Sequence, residues 1–320
     1  MTLRTDLAAP EALPGEALVR PTLATIDATD LAVIDAPMPF VGVLGHQFVG
    51  VVERVHPSDA GAQLIEGRRV VGAINIVPAA DPLARRGLGQ HAPQREILGI
   101  LGRSGVLAER FTLPIANLVP VPDAVTDEQA VLTEPLASAL HASRVTHIEG
   151  KPFVTIIGDD VIALLAAQIM TKLNASVRLI GRNLARLALC DKWQIKHRPI
   201  AEVGLRADQD IVIECTGEPA HVEIAMHMAR PRGRVVLRSR IMPTPASKPA
   251  AAGPDLTAVV HKELELIGAR CGNMSEALAL LLRQPIDTNS LISKRFRFDD
   301  AIAAFRAARE PDAVCVVIEF

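Results

Sequence analysis

Six positions in the middle of the chain have the residue types and spacing to bind a nucleotide. They are Gly158-Asp159-Asp160-Val161-Ile162-Ala163, inside the run KPFVTIIGDDVIALLAAQIMTKLNASVRLIGRN at 151–183. They fall on the frame G-x-G-x-x-G/A. Its first glycine makes a tight turn, its second lets the backbone approach a pyrophosphate, and its third packs helix on strand. Gly158 keeps the first role, Val161 and Ile162 carry the turn into a helix, and Ala163 is an accepted third residue. Asp160 stands at the second position and puts a negative charge where the helix N-terminus would attract phosphate. Like charges ~5 Å apart repel by roughly a few kcal/mol at an effective dielectric near 20, and ~1.4 kcal/mol is tenfold in affinity. The carboxylate can instead turn to solvent or cap the helix. Beyond the next strand come Ile180-Gly181-Arg182-Asn183 and then Arg186. No acid follows to hold a ribose diol, and arginine there suits a 2′-phosphate. If a dinucleotide binds, NADP(H) is therefore expected over NAD(H).

The elements needed to hold that loop are legible on either side of it. Residues 154–157 read as a buried strand ending at Gly158, 161–173 as a helix and Ser176–Gly181 as a second strand. Strand, glycine turn, helix and strand in about thirty residues form the first half of a doubly wound nucleotide-binding unit. Further on, a helix is predicted at 184–194, a strand at 210–215 ending in Thr216-Gly217, a helix at 219–229 and strands at 234–239 and 263–271. Strands alternating with helices predict a parallel sheet, hence an α/β fold. A Pro/Ala-rich connection occupies 241–256, and helices at 274–283 and 299–309 precede a closing strand at 313–320. Residues 1–134 differ in character. Short β-runs at 17–20, 48–55 and 69–73 are split by Gly and Pro, 78–95 form a Pro/Arg/Gly loop, and 125–147 change to helical spacing.

Composition bounds the partners. The 320 residues are 49% hydrophobic with a mean hydropathy of +0.25, enough for two domains with cores of their own. The net charge of −2, without a basic cluster interleaved with aromatics, argues against nucleic acid. No apolar run reaches the ~18–20 residues of a membrane span, and the N-terminal stretch lacks the apolar region of a secretory signal. Cys190, Cys215, Cys271 and Cys315 are isolated, as expected of free thiols in a reducing cytoplasm. Tyrosine is absent, which removes one common general acid.

GHQFVGVVERV (45–55), VVGAINIV (70–77), ILGILGRSGVLAERFTLP (97–114), TEPLASALHA (133–142) and the β/α block occur in one order. Together they resemble the medium-chain dehydrogenase/reductases of the zinc-dependent alcohol dehydrogenase-like type. The resemblance implies a GroES-like catalytic domain, 1–134 plus 271–320, interrupted by a Rossmann domain at 135–270. It implies hydride transfer between a small alcohol or carbonyl substrate and a nicotinamide cofactor. Relatives carry a four-cysteine structural zinc site. The matching positions here are Pro78, Asp81, Ala84 and Ala92, so no structural zinc is expected. The family's C-x-T-D run is Asp27-Ala28-Thr29-Asp30. His46 matches the second catalytic-metal ligand, with Gln47 in place of the glutamate that follows it, and Glu134 matches a third ligand. Asp27, His46 and Glu134 would hold one catalytic zinc acting as a Lewis acid, with Thr29 relaying the proton. Alternatively Asp27 only hydrogen-bonds His46 and Glu134 only favours a helix start. Thr216-Gly217 would line the nicotinamide side.

Three functions stay open at this stage: an active oxidoreductase, a catalytically impaired member acting as a binding or partner subunit, and a metal-free quinone or enone reductase. A homodimer or homotetramer pairing through strand 234–239 or the segment after it is implied, as is a modest apolar substrate beside 34–40 and 95–101.

Overall fold

The eleven-residue strand β1 (Glu16–Ile26), buried along almost all of its length, organises the first of two sheet systems. It pairs antiparallel with β2 (Gln47–Val55) on one side and on the other with β7 (Phe111–Pro114) and β16 (Cys315–Glu319), at opposite ends. The sheet continues through β3 (Arg69–Gly72) to β8 (Leu118–Pro120), and on the far side β15 (Ile292–Arg297) runs parallel to β16. The register shifts beside Pro21, which has no N–H to give to a ladder. A three-stranded sheet of β4 (Asn75–Ile76), β5 (Glu96–Leu98) and β6 (Gly102–Arg103) completes this part. The register sets Thr25 opposite Gln47. Asp27, just past β1, and His46, just before β2, thus leave neighbouring strand ends.

This computed structural model describes residues 1–35, 40–59, 65–239 and 253–320. Part of the loop expected beside the substrate (36–39) and most of the Pro/Ala-rich connection (240–252) lie outside the described residues, as do 60–64. By contacts the chain divides into two compact units, Met1–Glu134 with Asn273–Phe320, and Pro135–Gly272.

The second unit is a six-stranded parallel sheet in the order β11-β10-β9-β12-β13-β14. Its strands are β9 (Phe153–Ile157), β10 (Ser176–Gly181), β11 (Lys196–Pro199), β12 (Gln209–Glu214), β13 (Ala229–Leu237) and β14 (Glu265–Gly268). From β9 the chain builds outward through β10 and β11 on one side, then crosses back to β12 on the other side of β9. Gly158, at the end of β9, is therefore at the topological switch point where doubly wound sheets take ligands. The helix Val161–Lys172 crosses from β9 to β10 and is buried on all sides over its first ten residues apart from Ile162.

Several predicted elements change shape. The helix expected at 184–194 is two short pieces, Leu184–Leu187 and Leu189–Lys192, hinged at Ala188. The strand expected at 234–239 starts at Ala229 and is internal, paired with both β12 and β14, so the edge strands of this sheet are β11 and β14. The strand expected at 263–271 shrinks to β14. Glu263 takes a left-handed conformation (φ 51°) and closes a helix, Thr257–Lys262, that the sequence did not announce. Within 78–95 the chain forms the short helix Pro82–Arg85, its N-cap supplied by Asp81, and Ala92 is fully buried. Two of the cysteine positions of relatives thus cap and pack here. Cys190, Cys215 and Cys315 are buried free thiols, and burial pushes all three up, Cys190 to about 12. Among the described residues no helix is long and apolar enough to cross a membrane.

Candidate functional site

Asp27 is placed by a helix start. As N-cap of Ala28–Ile34, its Oδ1 accepts from the Thr29 N–H (2.7 Å) and the Asp30 N–H (3.4 Å). Asp30 reaches back to accept from the Asp27 N–H at 3.1 Å, which closes a reciprocal capping box. The D-A-T-D spacing is therefore a folding signal as well as a chemical one.

His46 is placed by close backbone packing. A Cβ on Gly99 would lie 2.2 Å from the Gly45 carbonyl oxygen, and one on Gly105 would lie 2.0 Å from it. Gly45 itself has φ +92°, with Leu107 Cγ where its Cβ would be. Three glycines thus fix the strand entry that aims His46.

Its Nδ1 lies 3.0 Å from Asp30 Oδ1, and the ring is 2% exposed. With Nδ1–H donating to Asp30, the lone pair of Nε2 is directed to Gln47 Nε2 at 3.2 Å. The two protons of that amide nitrogen are shared among this lone pair, Asp27 Oδ2 at 2.8 Å and Glu134 Oε2 at 3.1 Å. The Gln47 carbonyl oxygen accepts from the Thr25 hydroxyl. The three residues expected to hold a metal are thus brought together, with one carboxamide N–H₂ among their acceptors.

Burial lifts the Asp27 carboxyl above its usual range, and Asp30 adds to the lift while His46 opposes it. Burial alone would lower His46, but Asp30, Asp27 and Glu134 outweigh it and raise the ring to about 10. A proton on Nε2 would set donor against donor at Gln47. Holding the proton and accepting from the carboxamide are therefore alternative states of the ring.

Among the described residues, the group whose donor atoms could meet on a divalent cation is Asp27, Asp30 and His46, with Asp30 in the place expected for Glu134. Their ligand atoms all lie within 4.8 Å of one another. The Asp30 carboxylate on Nδ1 is the partner a metal-bound imidazole ordinarily has. Hard oxygen and imidazole donors, with no thiolate, suit zinc less tightly than relatives' sites do and admit other divalent ions. For an ion to enter, the Gln47 amide would have to turn away. Thr29 is exposed, and the hydroxyl that reaches this cluster is that of Thr25. Sequence reasoning left out Thr25, Asp30 and the part played by Gln47. Only the strand register could have shown Thr25 opposite Gln47.

In the other unit Gly158 has φ +132°, and a Cβ there would press on Cys215 at 3.1 Å. Asp160 is the N-cap of Val161–Lys172, its Oδ1 accepting from the Ala163 N–H at 2.8 Å. Its charge therefore sits at the helix start. Asp159 reaches across to the end of β10. Its Oδ2 accepts from the N–H groups of Arg182 (2.6 Å) and Asn183 (2.8 Å), and its Oδ1 lies 3.4 Å from Arg186 Nη1. Arg182 forks onto the Glu218 carboxylate. Asn183 Oδ1 caps the helix Leu184–Leu187. The two arginines on which the NADP(H) expectation rested are thus already paired, one with Glu218 and one with Asp159.

Thr216 and Gly217 turn around the buried Glu214, which accepts from both their N–H groups and from the Thr216 hydroxyl. Burial raises the Glu214 carboxyl, against those hydrogen bonds. A cavity of about 670 Å³, lined by Arg178, Lys196, Arg198 and Arg206 among others, opens along the edge strand β11 and includes none of these residues.

Residues 13–123 match the family described as the alcohol dehydrogenase GroES-like domain. L-threonine 3-dehydrogenase from Chelativorans sp. (strain BNC1) is 28% identical over 97% of this chain and 93% of its own. The enzyme of that name from Escherichia coli (strain K12) is 25% identical over 99% and 95%. Among solved structures, alcohol dehydrogenase TADH from Thermus sp. ATN1 superposes with a TM-score of 0.87 at 24% identity, covering 98% of this chain and 97% of its own. Galactitol-1-phosphate dehydrogenase from Escherichia coli gives 0.84 at 23%, covering 99% and 96%.

Proposed function

We propose that this chain, whose residues 13–123 match the alcohol dehydrogenase GroES-like domain and which resembles L-threonine 3-dehydrogenases along nearly its whole length, is a medium-chain dehydrogenase/reductase of the zinc-dependent alcohol dehydrogenase-like type, and that its centre at Asp27, His46 and Glu134 serves hydride transfer between a small alcohol or carbonyl compound and a nicotinamide dinucleotide. One observation carries the assignment. Acceptors from three separate segments meet at a single nitrogen, Gln47 Nε2, inside hydrogen-bond distance. A cation or a reacting proton could use the same convergence of lone pairs once the Gln47 amide turned away.

A divalent ion held by Asp27, His46 and Glu134 would polarise the substrate oxygen as a Lewis acid. The chain's own groups have separate tasks. Asp30 fixes the tautomer of His46 by taking Nδ1–H. The capping box fixes Asp27. Thr29, the relay expected from the sequence, is exposed in the first turn of its helix, and the hydroxyl proposed for proton transfer at the buried cluster is that of Thr25, which donates to the Gln47 carbonyl oxygen. Gly158, Asp160, Val161 and Ile162 form the proposed pyrophosphate turn, with Gly181, Arg182, Asn183 and Arg186 toward the adenosine ribose and Thr216-Gly217 toward the nicotinamide. Because both arginines are engaged, the cofactor class is taken as NAD(P)(H) rather than NADP(H) alone. Oligomerisation through the open edge of β14, and residence in the cytoplasm, belong to the same proposal.

A second possibility, a catalytically impaired partner subunit, is favoured by Asp160, whose carboxylate already satisfies a helix-start N–H. The experiment that separates the two is a coenzyme assay of the purified protein with L-threonine, polyols and simple secondary alcohols, alongside NADH and NADPH titration by nicotinamide fluorescence. Turnover of any of them with micromolar coenzyme affinity supports the enzyme. Absence of binding at millimolar coenzyme favours the partner subunit.

A further inference from the structure

In doubly wound dinucleotide sites a carboxylate just past the second strand accepts the adenosine 2′-hydroxyl, whereas an arginine there accommodates the 2′-phosphate. After β10 this sequence offers Arg182, Asn183 and Arg186 and no acid. The structure nevertheless holds a carboxylate at that place, brought from the glycine turn.

Asp159 accepts from two successive backbone N–H groups, those of Arg182 and Asn183, and stands beside the Arg186 guanidinium. The approach is made possible by Gly181. Any Cβ at 181 would sit 2.6 Å from Asp159 Oδ2 and 2.7 Å from Asp159 Cβ. The pair Asp159 and Gly181 is therefore built for this contact. The carboxylate is 15% exposed, and Oδ1 has only the long 3.4 Å contact to Arg186, so lone pairs remain for a donor. Arg182 points its fork at Glu218 and adds no free cation.

Resting on the dinucleotide assignment above, we propose that Asp159 selects the coenzyme: it accepts the adenosine 2′-hydroxyl of NAD(H) and turns away the 2′-phosphate of NADP(H). A phosphate at that position would meet a carboxylate that already occupies the two N–H groups and the guanidinium a phosphate needs. A hydroxyl needs only one acceptor. The acid that reads the ribose has moved from the end of the second strand to the loop after the first. The arginines that in sequence suggest NADP(H) are its supports.

The test is a pair of dissociation constants, NADH and NADPH, for the full chain and for Asp159→Ser and Asp159→Asn. The unaltered protein should bind NADH at least tenfold more tightly than NADPH, a comparison that needs no variant. Asp159→Ser should tighten NADPH about tenfold or more and weaken NADH, with Asp159→Asn in between. Equal or better NADPH binding by the unaltered protein overturns the proposal. So does a variant in which both constants move together, since the carboxylate would then be a plug or a mere loop support. Binding of neither coenzyme at millimolar concentration by any of the three proteins overturns the dinucleotide assignment itself.

Discussion

Gln47 Nε2 lies 2.8 Å from Asp27 Oδ2, and also 3.2 Å from His46 Nε2 and 3.1 Å from Glu134 Oε2. An amide thus offers its protons at the point where these acceptors meet. Gln47→Glu removes that donor and adds a fourth carboxylate to a buried cluster. Zinc affinity should rise by tenfold or more, read as metal per chain after dialysis against low zinc. With a chelator the variant should melt earlier, since an uncompensated buried charge costs roughly 3–5 kcal/mol. Unchanged metal content in Gln47→Glu would count against a cation site here.

Gly105 is pressed against the Gly45 carbonyl, and backbone atoms cannot step aside as side chains do. Gly105→Ala should destabilise the chain by about 2–4 kcal/mol, within the range for steric strain in a packed interior. Gly89→Ala meets its nearest neighbour at an ordinary 3.4 Å and should change stability by less than about 1 kcal/mol. Denaturant midpoints of the two variants, compared side by side, check this.

Asp160→Gly separates capping from coenzyme repulsion. A glycine cap costs only a few tenths of a kcal/mol relative to aspartate, so melting should barely move. Coenzyme affinity should improve by about tenfold or more as the charge at the helix start is lost. Unchanged affinity by fluorescence titration would mean that the carboxylate faces away from the bound phosphates.

His46, raised to about 10 by its carboxylate neighbours, gives the metal-free chain a pH signature. A folded pKa above the unfolded value of ~6.5 means that the folded state holds the proton more tightly. The resulting stability is fully present below pH ~6.5 and is lost as pH rises toward about 10. Melting temperatures with chelator should therefore fall between pH 7 and 10. His46→Asn should flatten that slope, whereas a slope unaffected by the substitution would assign it to other groups.

The parallel sheet and its glycine turn were legible because β9, Gly158 and the helix after it are local signals, each within a few residues of the next, whereas the strand order that makes this a switch point was not. Asp160 as a cap was legible for the same reason. Asp159 was not, because its partners lie 23 to 27 residues away and the contact depends on the empty space at Gly181. Gln47 read as a lost glutamate. That its nitrogen lies within reach of Asp27 and His46 depends on β1 and β2 being in register, which pairing fixes and local sequence does not. Strand limits shifted wherever a cap intervened, as Glu263 did by ending one helix just before β14.

Asp27 does two jobs with one carboxylate: Oδ1 holds the opening turn of Ala28–Ile34, and Oδ2 receives the Gln47 amide. The far end of that helix, Asp35, is clamped by Arg309 after Ala301–Ala308. Whatever arrives at or leaves the buried cluster must therefore tug on a short helix tethered at both ends. The amide protons of Thr29 and Asp30 become built-in gauges of occupancy, readable by hydrogen exchange without any substrate.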